Sequence, residues 1–231
     1  MSERRAELAA NLAEVRARID AAGRAAGRDP AEVTLIVVTK TWPAYDVRLL
    51  ADLGVRDVGE NRDQEAAPKA AACPGLGLRW HFVGQLQTNK AKSVVRYADV
   101  VHSVDRPQLV RALAAAADGA GRRVGCLVQV RLEAVEGRGG AAPDEVLAVA
   151  GLIDGAAALD LLGVMAVAPL GEPPEPAFAR LAEVAAAVRR EHPAATWVSA
   201  GMSGDLEAAV AAGATHVRVG TAVLGRRPPL G

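Results

Sequence analysis

The sequence contains four lysines, and one of them stands where an amine could act as a nucleophile. Lys40 follows a β-branched run at residues 33–38 and shares its strand parity with Ile36 and Val38. Partial burial at this position would disfavour the ammonium form and make available the neutral amine that a Schiff base requires. The alternative is a lysine that extends from a strand end into water.

Two glycine-containing segments in the last third of the chain could bind a phosphate. Residues 199–203 (SAGMS) precede a helix predicted to begin near Asp205, and residues 219–221 (VGT) end the last predicted strand. Backbone N–H groups, hydroxyls and a helix N-terminus together form anion sites, and glycine allows close approach. Ordinary turn chemistry is the alternative interpretation of Gly201 and Gly220.

Arg218 is predicted to point into the protein rather than into solvent. It alternates with Val217 and Val219, whose side chains would face the surrounding helices, so Arg218 shares the inner face with His216. A guanidinium cannot lose its charge by deprotonation and therefore needs an acceptor when buried. That acceptor could be a heteroatom of a ligand or the carboxylate of Glu60.

The densest polar stretch is WHFVGQLQTNK at residues 80–90. His81 could line a site, although a single histidine beside apolar residues is more often a structural core residue. Thr88 and Asn89 could instead cap the following helix.

The elements that must position these residues alternate regularly between strand and helix patterns. After an opening helix near residues 4–26, eight short apolar runs alternate with helical stretches, as in parallel βα repeats. We expect a single-domain (β/α)8 barrel over residues 1–231 with an additional N-terminal helix. Eight strands and no GxGxxG after the first favour it over an open doubly wound sheet. The predicted strands are residues 33–38, 55–59, 78–83, 99–103, 124–130, 159–164, 196–199 and 215–220.

In such a barrel the carboxyl ends of all strands meet at one mouth, where active sites lie. The polar strand ends should therefore converge. They are Lys40, Glu60, Asn61, His81, Ser103, Asp105, Gln129, Arg131, Met165, Ser199, Arg218, Gly220 and Thr221.

Composition narrows the class of partner. Basic and acidic residues both number 27, which argues against nucleic acid or an anionic membrane as the main partner. Cys73 and Cys126 lack the spacing of a disulfide scaffold or a metal site. The sequence shows no apolar leader or membrane span, so we expect a cytoplasmic protein.

Several motifs together resemble the pyridoxal phosphate (PLP) homeostasis protein family. They run in the family order over nearly the whole chain and are jointly specific. They are VVTKT at 37–41, GEN at 59–61 with QE at 64–65, WHFVGQLQTNK at 80–90, GVMA at 163–166, GMS at 201–203 with DLEAA at 205–209, and VRVGTA at 217–222.

This resemblance implies a fold like the N-terminal barrel of alanine racemase, PLP fold type III, with PLP bound to Lys40 as a Schiff base. It also implies that Arg218 faces the pyridine nitrogen, where a permanent donor would keep that nitrogen unprotonated and the ring a weak electron sink. The remaining implied cofactor-binding residues are Asn61, His81, Met165, Ser199, Gly201, Met202, Gly220 and Thr221.

The chain departs from the family pattern at several lysine positions. Trp42 stands where many relatives have a second lysine, and Arg138, Arg226 and Arg227 replace lysines common elsewhere. Arginine forms no Schiff base at ordinary pH, so a handover of PLP that uses auxiliary lysines is in doubt. Gly204 stands where an acidic residue is usual.

The resemblance favours a monomeric PLP carrier without catalytic residues, which could supply PLP-dependent apo-enzymes. A racemase of this fold needs a second acid/base group from another domain, and we expect no room for one after the eighth strand. The alternatives are a PLP-dependent amino-acid racemase or lyase, and an aldolase-like barrel that uses Lys40 on a phosphosugar.

Overall fold

The computed structural model describes residues 3–132 and 139–226, and within them eight parallel strands close into a barrel. Each strand pairs with the next along the chain, and β8 returns to pair with β1. The predicted (β/α)8 barrel is confirmed, and the open-sheet alternative is wrong. The strands are β1 Thr34–Val38, β2 Asp57–Glu60, β3 Arg79–Phe82, β4 Val100–Val104, β5 Val124–Gln129, β6 Leu159–Met165, β7 Trp197–Ser199 and β8 His216–Val219.

Helices surround the barrel in the predicted order, with two differences. The helix expected to follow the polar stretch at residues 80–90, over 89–97, is shorter in the structure: a 3-10 turn, Thr88–Lys90, is followed by a four-residue helix, and neither has a side-chain cap. A short helix after β8 was not predicted. The α-helices are α1 Glu3–Ala25, α2 Ala44–Asp52, α3 Asp63–Ala71, α4 Ala91–Val94, α5 Pro107–Gly119, α6 Val146–Asp154, α7 Glu175–Glu191, α8 Leu206–Ala211 and α9 Thr221–Leu224.

Alternation along β8 separates an apolar outer face from an inner face that carries polar residues. Val217 and Val219 pack in a cluster with helix residues such as Leu12, as the parity of β8 predicts. Arg218, between the two valines, and His216, before them, are buried on the interior side. Both strand faces are therefore shielded from water, which explains why the strands read as nearly continuous apolar runs.

Helix α1 supports the segments that follow the last two strands. Its apolar stripe includes Leu12, which is 1% exposed and packs in one cluster with residues of α8 and α9. The Asn11 side chain donates to the carbonyl of Val223, and Arg18 pairs with Glu207 at 2.7 Å. The N-terminal helix thus contacts and stabilises α8 and α9, the helices next to the predicted phosphate segments.

No helix within the described ranges combines the length and the apolar character that a membrane crossing requires.

Candidate functional site

A cavity of about 370 Å³ lies at the carboxyl ends of the strands, within the usual size range of ligand pockets. It brings together six of the ten predicted site residues: Lys40, Asn61, Met202, Arg218, Gly220 and Thr221. The other lining residues are Val38, Val83, Val167, Ser203 and Gly204.

Lys40 lies in a turn beyond β1, and its side chain is exposed. The expectation that it is partly desolvated is wrong, because β1 ends at Val38 and the buried residue of the turn is Thr39. Among the described residues, no hydrogen bond or ion pair engages the Lys40 amine. The amine is therefore available to a ligand in the cavity.

Helix α3 holds the turn that carries Lys40. The Lys69 ammonium donates to the Thr39 carbonyl at 2.7 Å, and the Glu65 carboxylate accepts the Thr41 N–H at 2.9 Å. Thr41 has a φ of 70°, an unfavourable conformation for a β-branched residue. Such strain persists only where neighbouring contacts fix the backbone, and here α3 supplies them.

Glu60 does not lie at the barrel mouth, and it is not the acceptor of Arg218. Its side chain is fully buried, pairing with Lys69 at 2.5 Å and accepting from the Thr39 hydroxyl at 2.6 Å. Burial raises the pKa of Glu60 despite the nearby Lys69 ammonium. Its position next in sequence to the inward Gly59 turns it toward α3, so the two sequence-based expectations for Glu60 are wrong.

Asn61 is positioned by a close backbone contact with the segment after β3. A Cβ atom on Gly84 would lie only 2.0 Å from the Asn61 carbonyl oxygen. Only glycine allows this approach, which links the WHFVG motif to the cavity. Gly84 was not predicted to matter, although its place in that motif was the available signal.

Ser203 and Gly204, in the turn before α8, both line the cavity. Within the described residues, no acceptor receives the N–H groups of Ser203 and Gly204, whereas the Met202 N–H donates to the Asp205 carboxylate. The Ser203 hydroxyl accepts the Ala222 N–H at 3.3 Å and so connects this turn to α9. Free N–H groups in a turn form an anion site.

Gly201 shapes this turn without lining the cavity. It has a φ of 90°, and a Cβ there would lie 2.6 Å from the Ala209 Cβ in α8. In the predicted phosphate segment 199–203, Met202 and Ser203 line the cavity, together with the following Gly204; Ser203 and Gly204 were not among the predicted binding residues.

Arg218 enters the cavity from the barrel interior. Its Nη1 donates to the Ser199 hydroxyl at 2.6 Å, and its Nη2 donates to the Ala166 carbonyl at 2.8 Å. Burial lowers the pKa of Arg218 to about 10, so the guanidinium stays charged at neutral pH. It is a fixed cationic donor.

The other three predicted residues lie beneath the cavity. The Ser199 hydroxyl is fully buried between Arg218 and His102, and Met165 packs against Leu127. Both ring nitrogens of His81 are hydrogen-bonded, to Asp57 and to His102. None of these side chains lines the cavity, and of the three only Ser199 bonds directly to Arg218.

A second cavity of about 350 Å³ adjoins the first and shares Val167 and Met202 with it. The predicted mouth residues Gln129 and Arg131 line this second space, and Gln129 donates to the Gly139 carbonyl. Two further mouth residues line neither cavity: Ser103 is buried, and Asp105 pairs with Arg106 and accepts the Gly140 N–H.

Of the four residues that replace lysines of the family pattern, two lie within the described residues. Trp42 is half-buried, with the Arg4 guanidinium 4.5 Å above its ring, and Arg226 is exposed at the end of the described chain. Arg138 and Arg227 lie outside the described residues.

Comparison with protein families matches residues 8–228 to the alanine racemase N-terminal domain. A protein named pyridoxal phosphate homeostasis protein from Mycobacterium leprae is 44% identical, over 96% of this chain and 94% of the relative.

Two solved structures are similar to this chain over most of its length. PipY of Synechococcus elongatus PCC7942, solved with PLP bound, has a TM-score of 0.83 at 35% identity and covers 94% of this chain and 100% of that one. Alanine racemase of Streptomyces coelicolor has a TM-score of 0.77 at 21% identity, over 97% of this chain and 59% of the racemase. The latter likeness concerns the fold alone.

Proposed function

The chain belongs to the pyridoxal phosphate homeostasis protein family, and from this membership we propose that it binds PLP at the barrel mouth and takes part in intracellular PLP homeostasis. One observation carries the proposal: a lysine amine, two free backbone N–H groups and a buried guanidinium line the same cavity. We propose residues 1–231 as one PLP-binding domain.

These groups match the three reactive or charged parts of the cofactor. The Lys40 amine condenses with the aldehyde carbon of PLP, with loss of water, to give a Schiff base. The N–H groups of Ser203 and Gly204 and the Thr221 hydroxyl are suited to the phosphate, and Arg218 to the pyridine nitrogen. When bound, the cofactor supplies an electron-withdrawing ring, and Arg218 would weaken that property by leaving the ring nitrogen unprotonated.

The composition of the cavity supports a carrier rather than a catalyst. Among the described residues that line it, Lys40 and Arg218 are the charged side chains, and none is a carboxylate, histidine, cysteine or tyrosine. A racemase requires a second acid/base group on the opposite face of the cofactor. Tyr45 lies in α2 and Tyr97 beside Asp63, away from the cavity.

The racemase or lyase alternative is tested by turnover. Purified protein loaded with PLP should neither racemise nor cleave small amino acids at catalytic rates, and should transfer PLP stoichiometrically to an apo-enzyme. Steady turnover with pure protein would contradict the carrier proposal. The monomeric state, the cytoplasmic location and the apo-enzyme partners remain predictions.

The Lys40 bond is tested by borohydride reduction followed by peptide mapping. We expect the reduced adduct on Lys40, loss of the cofactor absorbance band in Lys40→Ala, and an unchanged band in the control Lys92→Ala, whose side chain is exposed on α4. An adduct on Lys69, Lys90 or Lys92, or full occupancy in Lys40→Ala, would refute the assignment.

A further inference from the structure

A continuous chain of hydrogen bonds runs through the barrel interior from Arg218 to Asp57. The Arg218 guanidinium contacts the Ser199 hydroxyl at 2.6 Å, which lies 3.0 Å from His102 Nδ1. His102 Nε2 lies 2.9 Å from His81 Nδ1, and His81 Nε2 lies 2.9 Å from the Asp57 carboxylate. Four strands, β8, β7, β4 and β3, are thus linked to the first residue of β2.

The chemistry at one end, together with neutral rings, sets the direction of the chain. A carboxylate only accepts, so His81 donates to Asp57 through Nε2. With both rings neutral, His81 Nδ1 accepts from His102 Nε2, and His102 Nδ1 accepts from the Ser199 hydroxyl. Ser199 also accepts from Arg218, because a guanidinium only donates. This arrangement assigns the Nε2-protonated tautomer to both histidines.

The electrostatics of the interior agree with this arrangement. Burial lowers the pKa of His81 and, more strongly, that of His102, which keeps both rings neutral at neutral pH. Burial alone would raise the pKa of Asp57, but the hydrogen bond from His81 and the charge of Arg79 lower it overall. Asp57 is therefore ionised.

We propose that Ser199, His102, His81 and Asp57 are positioning residues that hold the Arg218 guanidinium in place as the donor facing the cavity. In the described part of the chain no carboxylate hydrogen-bonds to Arg218, whose partners are Ser199 and Ala166, and a buried cation without compensation is costly. The oriented chain connects it to the Asp57 carboxylate, which opens β2 on the opposite side of the barrel from the mouth. The part of this inference that concerns a ligand rests on the proposed PLP function.

The direction of the chain is tested first in the protein without PLP. Nitrogen-15 NMR of the histidine side chains at neutral pH should show His81 and His102 as neutral rings with the proton on Nε2. A proton on Nδ1 of either ring, or a charged ring, would overturn the assigned direction. This measurement is independent of whether PLP binds.

The positioning role is tested with Asp57→Ala and a matched control, His216→Gln. His216 is also a buried interior histidine, but it stacks on Trp197 and bonds to Thr215, outside the chain. Asp57→Ala should change the His81 tautomer, shift the absorbance of bound PLP and weaken PLP binding about tenfold, the effect of losing one charge-assisted hydrogen bond. His216→Gln should leave all three unchanged.

Two further results distinguish a failure of the positioning role from a failure of the proposed PLP function. Asp57→Asn, whose amide oxygen still accepts from His81, should retain most of the affinity. If Asp57→Ala does not fold, Ser199→Ala is the test, because it removes the hydroxyl between Arg218 and His102 and should likewise shift the spectrum and weaken PLP binding. A wild-type spectrum and affinity in Asp57→Ala, or in Ser199→Ala where Asp57→Ala does not fold, would overturn the positioning role. Failure of the wild-type protein to bind PLP would instead refute the proposed function. The histidine tautomers would still test the direction of the hydrogen-bond chain in that case.

Discussion

At the scale of single residues, Arg218 combines a fixed charge with a fixed direction. Its two donors to Ser199 and Ala166 anchor the guanidinium, and its pKa of about 10 keeps it cationic wherever the protein is folded near neutrality. A side chain with these properties can recognise an acceptor atom of a ligand but cannot serve as a proton acceptor.

Arg218→Glu is expected to change the protonation of the cofactor's ring nitrogen. A carboxyl group at this position stabilises a protonated nitrogen, so the absorbance of bound PLP should shift and PLP should bind less tightly. The control is Arg131→Glu, because Arg131 lines the neighbouring cavity instead. An unaltered absorbance spectrum in Arg218→Glu would show that Arg218 does not contact the cofactor ring.

Residue types and strand parity predicted some of these positions better than others. The alternation in β8 placed Arg218 inside, because a period of two holds along any short strand. The sequence left open whether Lys40 is partly buried or extends into water, because the answer depends on where β1 stops pairing with β2, at Val38 and Gly59. The outward turn of Glu60 depends on the same register, which one sequence does not reveal.

At the scale of elements, the mouth is shaped by contacts between loops that follow different strands. The turn with Lys40 is held by α3, Asn61 by the glycine after β3, and Ser203 by α9. Each cavity residue is thus fixed by a segment other than its own.

Gly84→Ala should disturb the cavity through the backbone of Asn61. The added methyl group would meet the Asn61 carbonyl, so we expect a stability loss of about 1–3 kcal/mol and weaker PLP binding. Gly151→Ala is the control: Gly151 lies in α6 with no atom near its Cβ position, and the change should stabilise by about 0.5–1 kcal/mol. Thermal unfolding and PLP titration measure both effects, and equal behaviour of the two variants would contradict the proposed contact.

The existence and order of the strands and main helices could be predicted from the sequence. The shortest helices and the conformation of the turns could not. Eight apolar runs separated by helical patterns suffice for a barrel. The length of α4 was overestimated, and α9, with four residues, carries too short a pattern to recognise. The unpaired N–H groups of Ser203 and Gly204 depend on the turn that Asp205 fixes.

At the scale of the whole molecule, the polar interior makes folding stability depend on pH. Burial lowers the pKa of His216 to about 3 and also lowers those of His81 and His102. In the unfolded chain histidine titrates near a pKa of about 6.5. Below that pH the unfolded chain binds more protons than the folded one, so the free energy of unfolding decreases as the pH falls.

His216→Gln should reduce this acid sensitivity. Between about pH 6 and pH 4, the slope of unfolding free energy against pH should be shallower than in the wild type by about 1.4 kcal/mol per pH unit, the contribution of one proton. Denaturant titrations at successive pH values measure the slope. Parallel curves for the two proteins would show that His216 is not held neutral by the fold.

The exposure of the Lys40 turn has a consequence for how PLP is transferred to and from the protein. If PLP is bound to Lys40 as proposed, an amine on another protein can reach the bound carbon from solvent, because the Lys40 side chain is exposed. Loading and unloading would then be governed by competition among nearby amines rather than by a gate. Free amino acids would compete in the same way, so their concentration would set the residence time of PLP on Lys40.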